Sequence, residues 1–242
     1  MRLPAQMLLV CAVALVAGCD HLPGDPPAPI PRPTAVTDFS TLYKENCSGC
    51  HGANGHNGPA MDLANPEYQA LVDDGTLRKW ISGGMPGTEM PAFAQAAGGM
   101  LTDAQVNALI AGMRRRWSRP DVFAGAAPPS YAQLQKGNDH IGEQLYHSRC
   151  AACHAASPQQ VTNSDYLALV GDQALRSVII AGRPDIGQPD WSHLGPDGSA
   201  AAPLSAQNVD DIVAYLASLR NPATTDARNE PAASTLTGRR NQ

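Results

Sequence analysis

The stretch Cys47-Ser48-Gly49-Cys50-His51 occurs a second time, 103 residues later, as Cys150-Ala151-Ala152-Cys153-His154. A Leu-Tyr pair precedes both copies at the same distance, as Leu42-Tyr43 and Leu145-Tyr146. An internal repeat constrains the fold more strongly than any single element, because each repeat folds as one structural unit. The duplicated pentapeptide therefore predicts two similar domains in one chain.

The similarity continues beyond the two pentapeptides. Residues 65–93 align without a gap with residues 163–191, and 12 of the 29 aligned positions are identical. A further aligned pair follows at Leu101-Thr102 and Leu204-Ser205. A gapless block of this length indicates that the whole unit was duplicated, rather than the cysteine motif alone.

The repeat and the distribution of proline divide the chain into six segments. Six prolines lie between His21 and Pro33, and they favour an extended, polyproline-like tether. Proline and glycine also mark the join between the repeats, and the residues from Pro222 onward are polar and lack periodicity. We predict a signal peptide at 1–18, a Pro-rich tether at 19–37, a first domain at 38–119, a linker at 120–136, a second domain at 137–220 and a disordered tail at 221–242.

The N-terminal segment carries the features of an export signal. Arg2 is followed by the apolar run Met7–Ala17, which is shorter than the ~20 residues needed to span a bilayer. The run ends in Leu15-Val16-Ala17-Gly18-Cys19, which resembles the lipobox of bacterial lipoproteins and implies a lipid on Cys19. An ordinary signal peptide and an uncleaved anchor helix are the alternatives. All three interpretations place the rest of the chain outside the cytoplasm. The lipoprotein interpretation predicts a lipid-anchored protein that faces the periplasm.

The cysteines of the chain are concentrated in the repeated motifs. Of the six, Cys11 is removed with the predicted signal peptide and Cys19 is the predicted lipid site. The other four form the two Cys-x-x-Cys pairs. Outside the cytoplasm a free pair of thiols would normally form a disulfide. A histidine follows each pair directly, which indicates a different use.

Three kinds of site use paired cysteines with this spacing. A structural zinc ion needs four ligands, whereas each pentapeptide supplies three at most. A thioredoxin-like redox pair needs a βαβ context, which the sequence lacks. In haem attachment, a Cys-x-x-Cys-His motif binds the porphyrin through both cysteines and the iron through the histidine. We therefore predict two covalently bound haems c (iron), held by Cys47, Cys50 and His51 and by Cys150, Cys153 and His154.

The apolar periodicity predicts helices and no strand. Apolar residues recur at helical spacing after each motif, and Thr102 and Ser205 are good N-caps for the closing helices. The predicted fold class is all-α. The predicted helices are 39–46, 67–82 and 103–117 in the first domain and 141–149, 165–181 and 206–219 in the second.

The chain resembles the class I cytochrome c family, in a tandem dihaem form, over about Asp38 to Arg220. In the first domain the resemblance is carried by Cys47-Ser48-Gly49-Cys50-His51-Gly52, Gly58-Pro59 and Pro86-Gly87-Thr88-Glu89-Met90-Pro91-Ala92-Phe93. The resemblance implies two class I cytochrome c-like helical domains, each folded around a haem. It implies that His51 and Met90 are the axial metal ligands of haem 1, and that His154 is a ligand of haem 2. It also implies that a carbonyl at Pro59 orients the His51 ring.

The first domain contains two candidate methionines for the sixth iron ligand, and the second domain contains none. Met85 is close to Met90, but the repeat aligns Met85 with Arg183. The position of Met90 is taken by Gln188 in the second domain, which contains no Met. Haem 2 is therefore expected to use His193, Gln188 or water, or to remain five-coordinate, and to have the lower reduction potential.

Charge and composition restrict the possible partners. The formal net charge is −5, and the only basic block is Arg114–Arg116, which we interpret as a solvated helix end. This excludes a nucleic-acid-binding protein, which needs a basic surface. We predict no catalytic residue, and electron transfer in a respiratory or photosynthetic chain. The expected partners are a quinol-oxidising complex, a terminal oxidase or a soluble carrier. The alternative is a peroxidase-like redox enzyme or a gas sensor with an open second haem.

Overall fold

The computed structural model describes residues 31–155, 161–193 and 202–220. In these ranges the chain is helical, and its β pairing is limited to two isolated bridges, Ala94 with Leu101 and Arg183 with Gln188. None of the described helices is long and apolar enough to cross a membrane. The predicted signal peptide, the lipid site Cys19, most of the tether and the tail lie outside the described residues. Pro33–Ala35, at the end of the predicted tether, forms a short 3₁₀ turn rather than an extended segment.

Among the described residues, each domain contains five α-helices, in the same order in both domains. The helices of the first domain are α1 (Phe39–Asn46), α2 (Ser48–His51), α3 (Pro66–Leu71), α4 (Asp74–Gly83) and α5 (Asp103–Trp117). Those of the second are α6 (Asp139–Arg149), α7 (Ala151–His154), α8 (Ser164–Leu169), α9 (Asp172–Ala181) and α10 (Ala206–Ser218). The all-α class predicted from the sequence is confirmed, and so is the repetition of the helical unit.

Side-chain caps set the helix ends where the sequence predicts them. The Asp38 carboxylate accepts from the Thr41 backbone N–H at 2.8 Å and begins α1. Thr102 opens α5 with a capping box, in which Gln105 at the third helical position bonds back to the cap. Ser205 opens α10 in the same way. These caps fix the first and last helices, which pack together in each domain.

The single long helix predicted after each motif is wrong, because each divides into two. Val72 adopts an extended backbone (φ −97°, ψ 131°) and ends α3. The Asp73 side chain then accepts from Thr76 N–H at 2.8 Å and begins α4. The second domain breaks in the same way at Val170 and Gly171. The apolar spacing of the sequence alone did not reveal this break.

An arginine from the end of each domain closes this helical break. It donates to two carbonyls at the end of the first short helix and to the carboxylate that starts the next. In the first domain Arg114 makes these bonds to Gln69, Val72 and Asp74. In the second domain Arg220 makes them to Leu167, Val170 and Asp172. Arg114 is therefore a bridging residue, which corrects the interpretation of Arg114–Arg116 as a solvated block.

Each domain has its own apolar core, and the two cores meet. An aromatic cluster of Phe39, Tyr43 and Trp117, with ring centroids 5.2–5.6 Å apart, joins α1 to α5 in the first domain. Ala181 of the second domain belongs to the first core, while Leu71 of the first domain packs against the second. The two domains therefore share a packed boundary between α3 and α9.

A buried ion pair ties the linker to the second domain. Arg176, which is 1% exposed, pairs with the carboxylate of Asp210 and donates to the carbonyls of Ser130 and Tyr131. Asp210 is 1% exposed, and its second carboxylate oxygen has no hydrogen-bond partner among the described residues. The guanidinium is therefore the main compensation for a buried negative charge.

Replacing Arg176 by Ala should destabilise the protein by ~3–5 kcal/mol, because an uncompensated charge would remain buried. The free energy of unfolding is measured by urea denaturation of the haem-loaded protein. Arg78 is the aligned residue of the first domain and is exposed, so Arg78→Ala is the matched control and should be nearly neutral. Equal losses for the two variants would contradict this account of the pair.

Candidate haem-attachment sites

The two Cys-x-x-Cys-His motifs form the same turn in the same geometry. In the first domain the backbone N–H groups of Cys50 and His51 both donate to Cys47 O, at 3.2 and 3.0 Å. In the second domain the corresponding bonds, to Cys150 O, have the same lengths of 3.2 and 3.0 Å. All four cysteines are free thiols. Each turn thus carries two unpaired sulfurs and a histidine on one short helical segment.

The first cysteine of each pair is partly buried and is not activated as a thiolate. Burial raises the pKa of the Cys47 thiol to about 12 and that of Cys150 to about 11. A redox-active cysteine pair has a lowered pKa, which makes the thiolate available. Within the described ranges, no group of three or more His, Cys, Asp and Glu side chains could hold a metal ion. The structure therefore supports neither the zinc nor the thioredoxin-like alternative.

The ring of His51 is fixed by a backbone carbonyl. Its Nδ1 lies 2.7 Å from Met61 O, and since a carbonyl can only accept, the ring donates through Nδ1. Burial lowers the pKa of His51, so the imidazole is neutral. Nε2 is then the nitrogen left for a metal. The family resemblance implied that the orienting carbonyl is that of Pro59, whereas the structure places it two residues later, at Met61.

The loop that supplies this carbonyl folds back tightly onto the attachment turn. Ala60 N donates to Cys50 O at 3.0 Å, and the Tyr43 hydroxyl donates to Gly52 O at 2.9 Å. A Cβ on Gly58 would lie 2.2 Å from Cys50 O, so no larger residue fits there. The loop and the turn therefore form one rigid unit around His51.

A closed turn presents Met90. Met85 N donates to Met90 O at 3.1 Å, and Thr88 Oγ1 bridges the turn by donating to Met85 O at 2.8 Å. Met90 packs against the core of the first domain, as does Cys47. Cys47, predicted to attach haem 1, and Met90, predicted to ligate its iron, thus border the same core. The assignment of Met90 as the iron ligand stays a prediction.

Replacing Met90 by Ala should abolish the weak near-infrared absorption band that sulfur ligation gives ferric haem. Met85→Ala is the matched control, since Met85 starts the same turn, and it should keep the band. The two variants are compared by absorption spectroscopy of the oxidised protein. Loss of the band in the Met85 variant alone would reverse the assignment.

The second domain keeps the closed turn but changes its side chains. Arg183 N donates to Gln188 O at 2.9 Å and Gln188 N donates to Arg183 O at 3.0 Å, which matches the register of Met85 and Met90. Gly182 is crowded by the same backbone atoms of this turn as Gly84 is in the first domain. Gln188 therefore occupies the position of Met90, as the repeat predicts.

Both proposed side-chain ligands of haem 2 have hydrogen-bond partners within the protein. The Gln188 amide donates to Val178 O at 3.1 Å. The His193 side chain is 66% exposed, and its Nδ1 contacts Asp190 Oδ1 at 3.1 Å. Burial lowers the pKa of His154, as it does for His51, which keeps this imidazole neutral. The second site thus repeats the attachment turn without repeating the methionine.

The donor set fits a c-type haem in both domains. Each attachment turn offers two free thiols, and a neutral histidine follows them directly. In the first domain the ring of that histidine is already oriented by Met61. These are the groups that covalent attachment and axial ligation require.

Comparisons with known proteins agree with this geometry. Residues 34–111 match the family described as cytochrome C oxidase, cbb3-type, subunit III, and residues 140–220 match the family described as cytochrome c. A thiosulfate dehydrogenase from Psychrobacter arcticus is similar to this chain, with 23% identity over 249 aligned positions that cover 86% of the chain and 73% of the relative. Residues 34–111 and 140–220 therefore form two tandem all-α cytochrome c domains, and these matches support c-type haem binding and electron transfer by the chain.

Proposed function

We propose that this chain is a lipid-anchored dihaem cytochrome c that carries single electrons on the periplasmic side of a membrane. Its donor would be a quinol-oxidising complex and its acceptor a terminal oxidase or a soluble carrier. The observation that carries the proposal is the attachment turn, which occurs twice with the same hydrogen-bond lengths. Because the two turns have the same geometry, we assign one haem to each of them.

The residues of the chain hold and orient the prosthetic group. The cysteines of each turn anchor the porphyrin, and the Met61 carbonyl fixes the ring of His51 through its Nδ1 proton. Bound haem supplies an iron that changes between the ferric and ferrous states. Met90 and Cys47 pack against the core of the first domain, so the first haem would lie beside apolar side chains. No proton transfer or bond cleavage is required of any side chain.

The membrane attachment rests on the stretch Leu15-Val16-Ala17-Gly18-Cys19. A lipid at Cys19, followed by a Pro-rich tether, would confine the two domains to short distances from a membrane. Such confinement suits exchange with membrane-bound partners. The overall negative charge would favour partners with a basic docking face.

Membranes from cells that express the protein provide the test. Quinol added to these membranes should reduce the haem, and air should reoxidise it. Cys19→Ser should release the protein from the membrane and slow both steps, whereas Cys11→Ser, within the predicted leader, should change neither. Haem that quinol never reduces in the presence of membranes would contradict the carrier proposal.

A second candidate function is the oxidation of thiosulfate, because the similar protein from Psychrobacter arcticus is a thiosulfate dehydrogenase. A dehydrogenase takes electrons from its substrate, so thiosulfate alone should reduce the purified protein if this candidate is correct. The carrier proposal predicts that thiosulfate has no such effect in the absence of membranes. The same purified sample, with and without thiosulfate, distinguishes the two.

The peroxidase-like or gas-sensing alternative depends on an open iron in the second domain. The exposure of His193 and the hydrogen bond from the Gln188 side-chain amide to Val178 O are compatible with such a site. Binding of carbon monoxide to the reduced protein would favour this alternative. A reduced spectrum that carbon monoxide does not change would exclude it.

A further inference from the structure

We infer that Arg183 of the second domain is a positioning residue for His51 of the first domain. The inference rests on the proposed function, which places a haem on His51. Arg183 begins the turn that corresponds to the Met90 turn of the first domain, where the aligned residue is Met85. The second domain keeps this turn but begins it with an arginine, whose side chain binds the first domain.

The Arg183 turn contacts the loop that precedes Met61. The guanidinium donates through Nη1 to Ala60 O and through Nη2 to Gly58 O, both at 3.0 Å. The backbone N–H of Asn57 donates to Asp185 Oδ2 at 2.8 Å. Three hydrogen bonds therefore join one short turn of the second domain to residues 57–60 of the first.

Asp185 fixes the orientation of the guanidinium. Arg183 donates through Nε to Asp185 Oδ1 and through Nη2 to Asp185 Oδ2, both at 2.8 Å. The two side chains are 9% and 2% exposed, so the pair is shielded from water and from salt. Its hydrogen bonds to Arg183 lower the pKa of Asp185 to about 2, and the pair is ionised at neutral pH. A bidentate pair of this kind combines charge with a defined geometry.

The bound loop is the one that orients the proximal histidine. Ala60 is held on one side by Arg183 and on the other by Cys50 O, to which its N–H donates at 3.0 Å. The next residue is Met61, whose carbonyl lies 2.7 Å from His51 Nδ1. The hydrogen-bonded chain from Arg183 through Ala60 and Met61 therefore leads directly to the ring of His51.

This role differs from simple docking of the two domains. A separate contact already joins them, because Asn65 Nδ2 donates to Ala181 O at 2.8 Å at the boundary of α3 and α9. That contact lies outside residues 57–61. If Arg183 only docked the domains, weakening either contact would have the same effect on haem 1. If Arg183 positions His51, removing Arg183 changes the electronic state of the iron of haem 1, whereas removing the Asn65 contact does not.

The test removes the pair as a neutral unit, in the variant Arg183→Ala/Asp185→Ala. Because no net charge is lost, a change in haem 1 reflects the position of the ring and the strength of its Nδ1 hydrogen bond. A weaker bond makes the imidazole less basic and stabilises ferric iron less, so the potential of haem 1 should rise. The hyperfine-shifted proton resonances of the ferric haem, which depend on ring orientation, should shift as well.

Two further variants complete the experiment. Arg183→Lys keeps the charge without the bidentate geometry, and it should shift the potential of haem 1 in the same direction by a smaller amount. This milder variant provides the test if the double variant does not fold. Asn65→Ser keeps a cap on α3 but loses the donor to Ala181, and it should leave the potential of haem 1 unchanged. The redox wave of haem 1 is identified by its sensitivity to Met90→Ala.

An unchanged potential and an unchanged resonance pattern in the Arg183 variants would overturn the inference. Equal shifts in Asn65→Ser would also overturn it, since they would indicate docking alone. Both outcomes leave the proposed function intact, because haem 1 would still be bound and redox-active. Absence of haem on Cys47 and Cys50 in the native protein would instead reject the proposed function itself.

Discussion

A chain in which Cys150 and Cys153 are replaced by Ala should carry one covalent haem, where the native chain carries two. The reason is that the two attachment turns have the same geometry but belong to separate cores, so each should bind its haem independently. Acid-acetone extraction removes haem that is not covalently bound. The pyridine haemochrome absorbance per polypeptide then counts what remains.

The matched variant Cys47→Ala/Cys50→Ala should lose the other haem and keep the one on the second domain. Both variants should show the same halving of covalent haem. A native chain with a single covalent haem, or with haem that acid-acetone extracts completely, would contradict the dihaem proposal. Because a haem fills the interior of its domain, each variant should also unfold more easily than the native protein.

Replacing Gln188 by Met should raise the potential of haem 2 toward that of haem 1. The turn of Gln188 has the hydrogen bonds and register of the Met90 turn, so a Met side chain would start from the corresponding position. A soft, neutral thioether stabilises ferrous iron, whereas nitrogen or oxygen ligands, or water, favour ferric iron. Ligand identity moves haem potentials over ~0.8 V, so this substitution should have a large effect on the potential of haem 2.

Gln188→Leu is the control for this experiment, since Leu also loses the hydrogen bond from the Gln188 amide to Val178 O but cannot ligate iron. Potentiometric titration should show two separated waves in the native protein and in the Leu variant. The Met variant should bring the lower wave close to the upper one. If both variants leave the lower wave in place, the absence of a methionine at position 188 does not determine the potential of haem 2.

His193→Ala discriminates among the remaining ligands of haem 2. The His193 side chain is largely exposed and bound to Asp190, so the lower wave should not respond to its loss. A clear shift of that wave would show that the loop rearranges to bring His193 to the iron. The side chain of Gln188 and a water molecule would then be excluded as ligands.

The repeat explains why so much of the fold could be predicted. Residues at the same place in both copies, such as the caps Thr102 and Ser205, have the same structural role in both domains. Both attachment turns followed from one pentapeptide, because its spacing permits only a short helical turn. The position of Gln188 in the Met90 slot also followed from the alignment, and the backbone hydrogen bonds bear it out.

Interactions between distant segments could not be predicted in the same way. Arg114 and Arg220 bind corresponding groups in the two domains, yet they do not align with each other, so the repeat concealed their shared role. The choice of Met61 rather than Pro59 depends on the path of a glycine-rich loop. The bonds of Arg183 to Gly58 and Ala60 join residues more than 120 positions apart, and the sequence carries no signal for them beyond the departure from Met85.

If one chain holds two haems, it should accept two electrons, one at a time. A reductive titration of the intact, natively matured protein, followed by haem absorbance, measures this uptake. We expect two electrons per polypeptide, taken up in two separate one-electron waves, with the upper wave altered by Met90→Ala. Uptake of one electron per polypeptide, or of two electrons in a single concerted wave, would contradict this expectation.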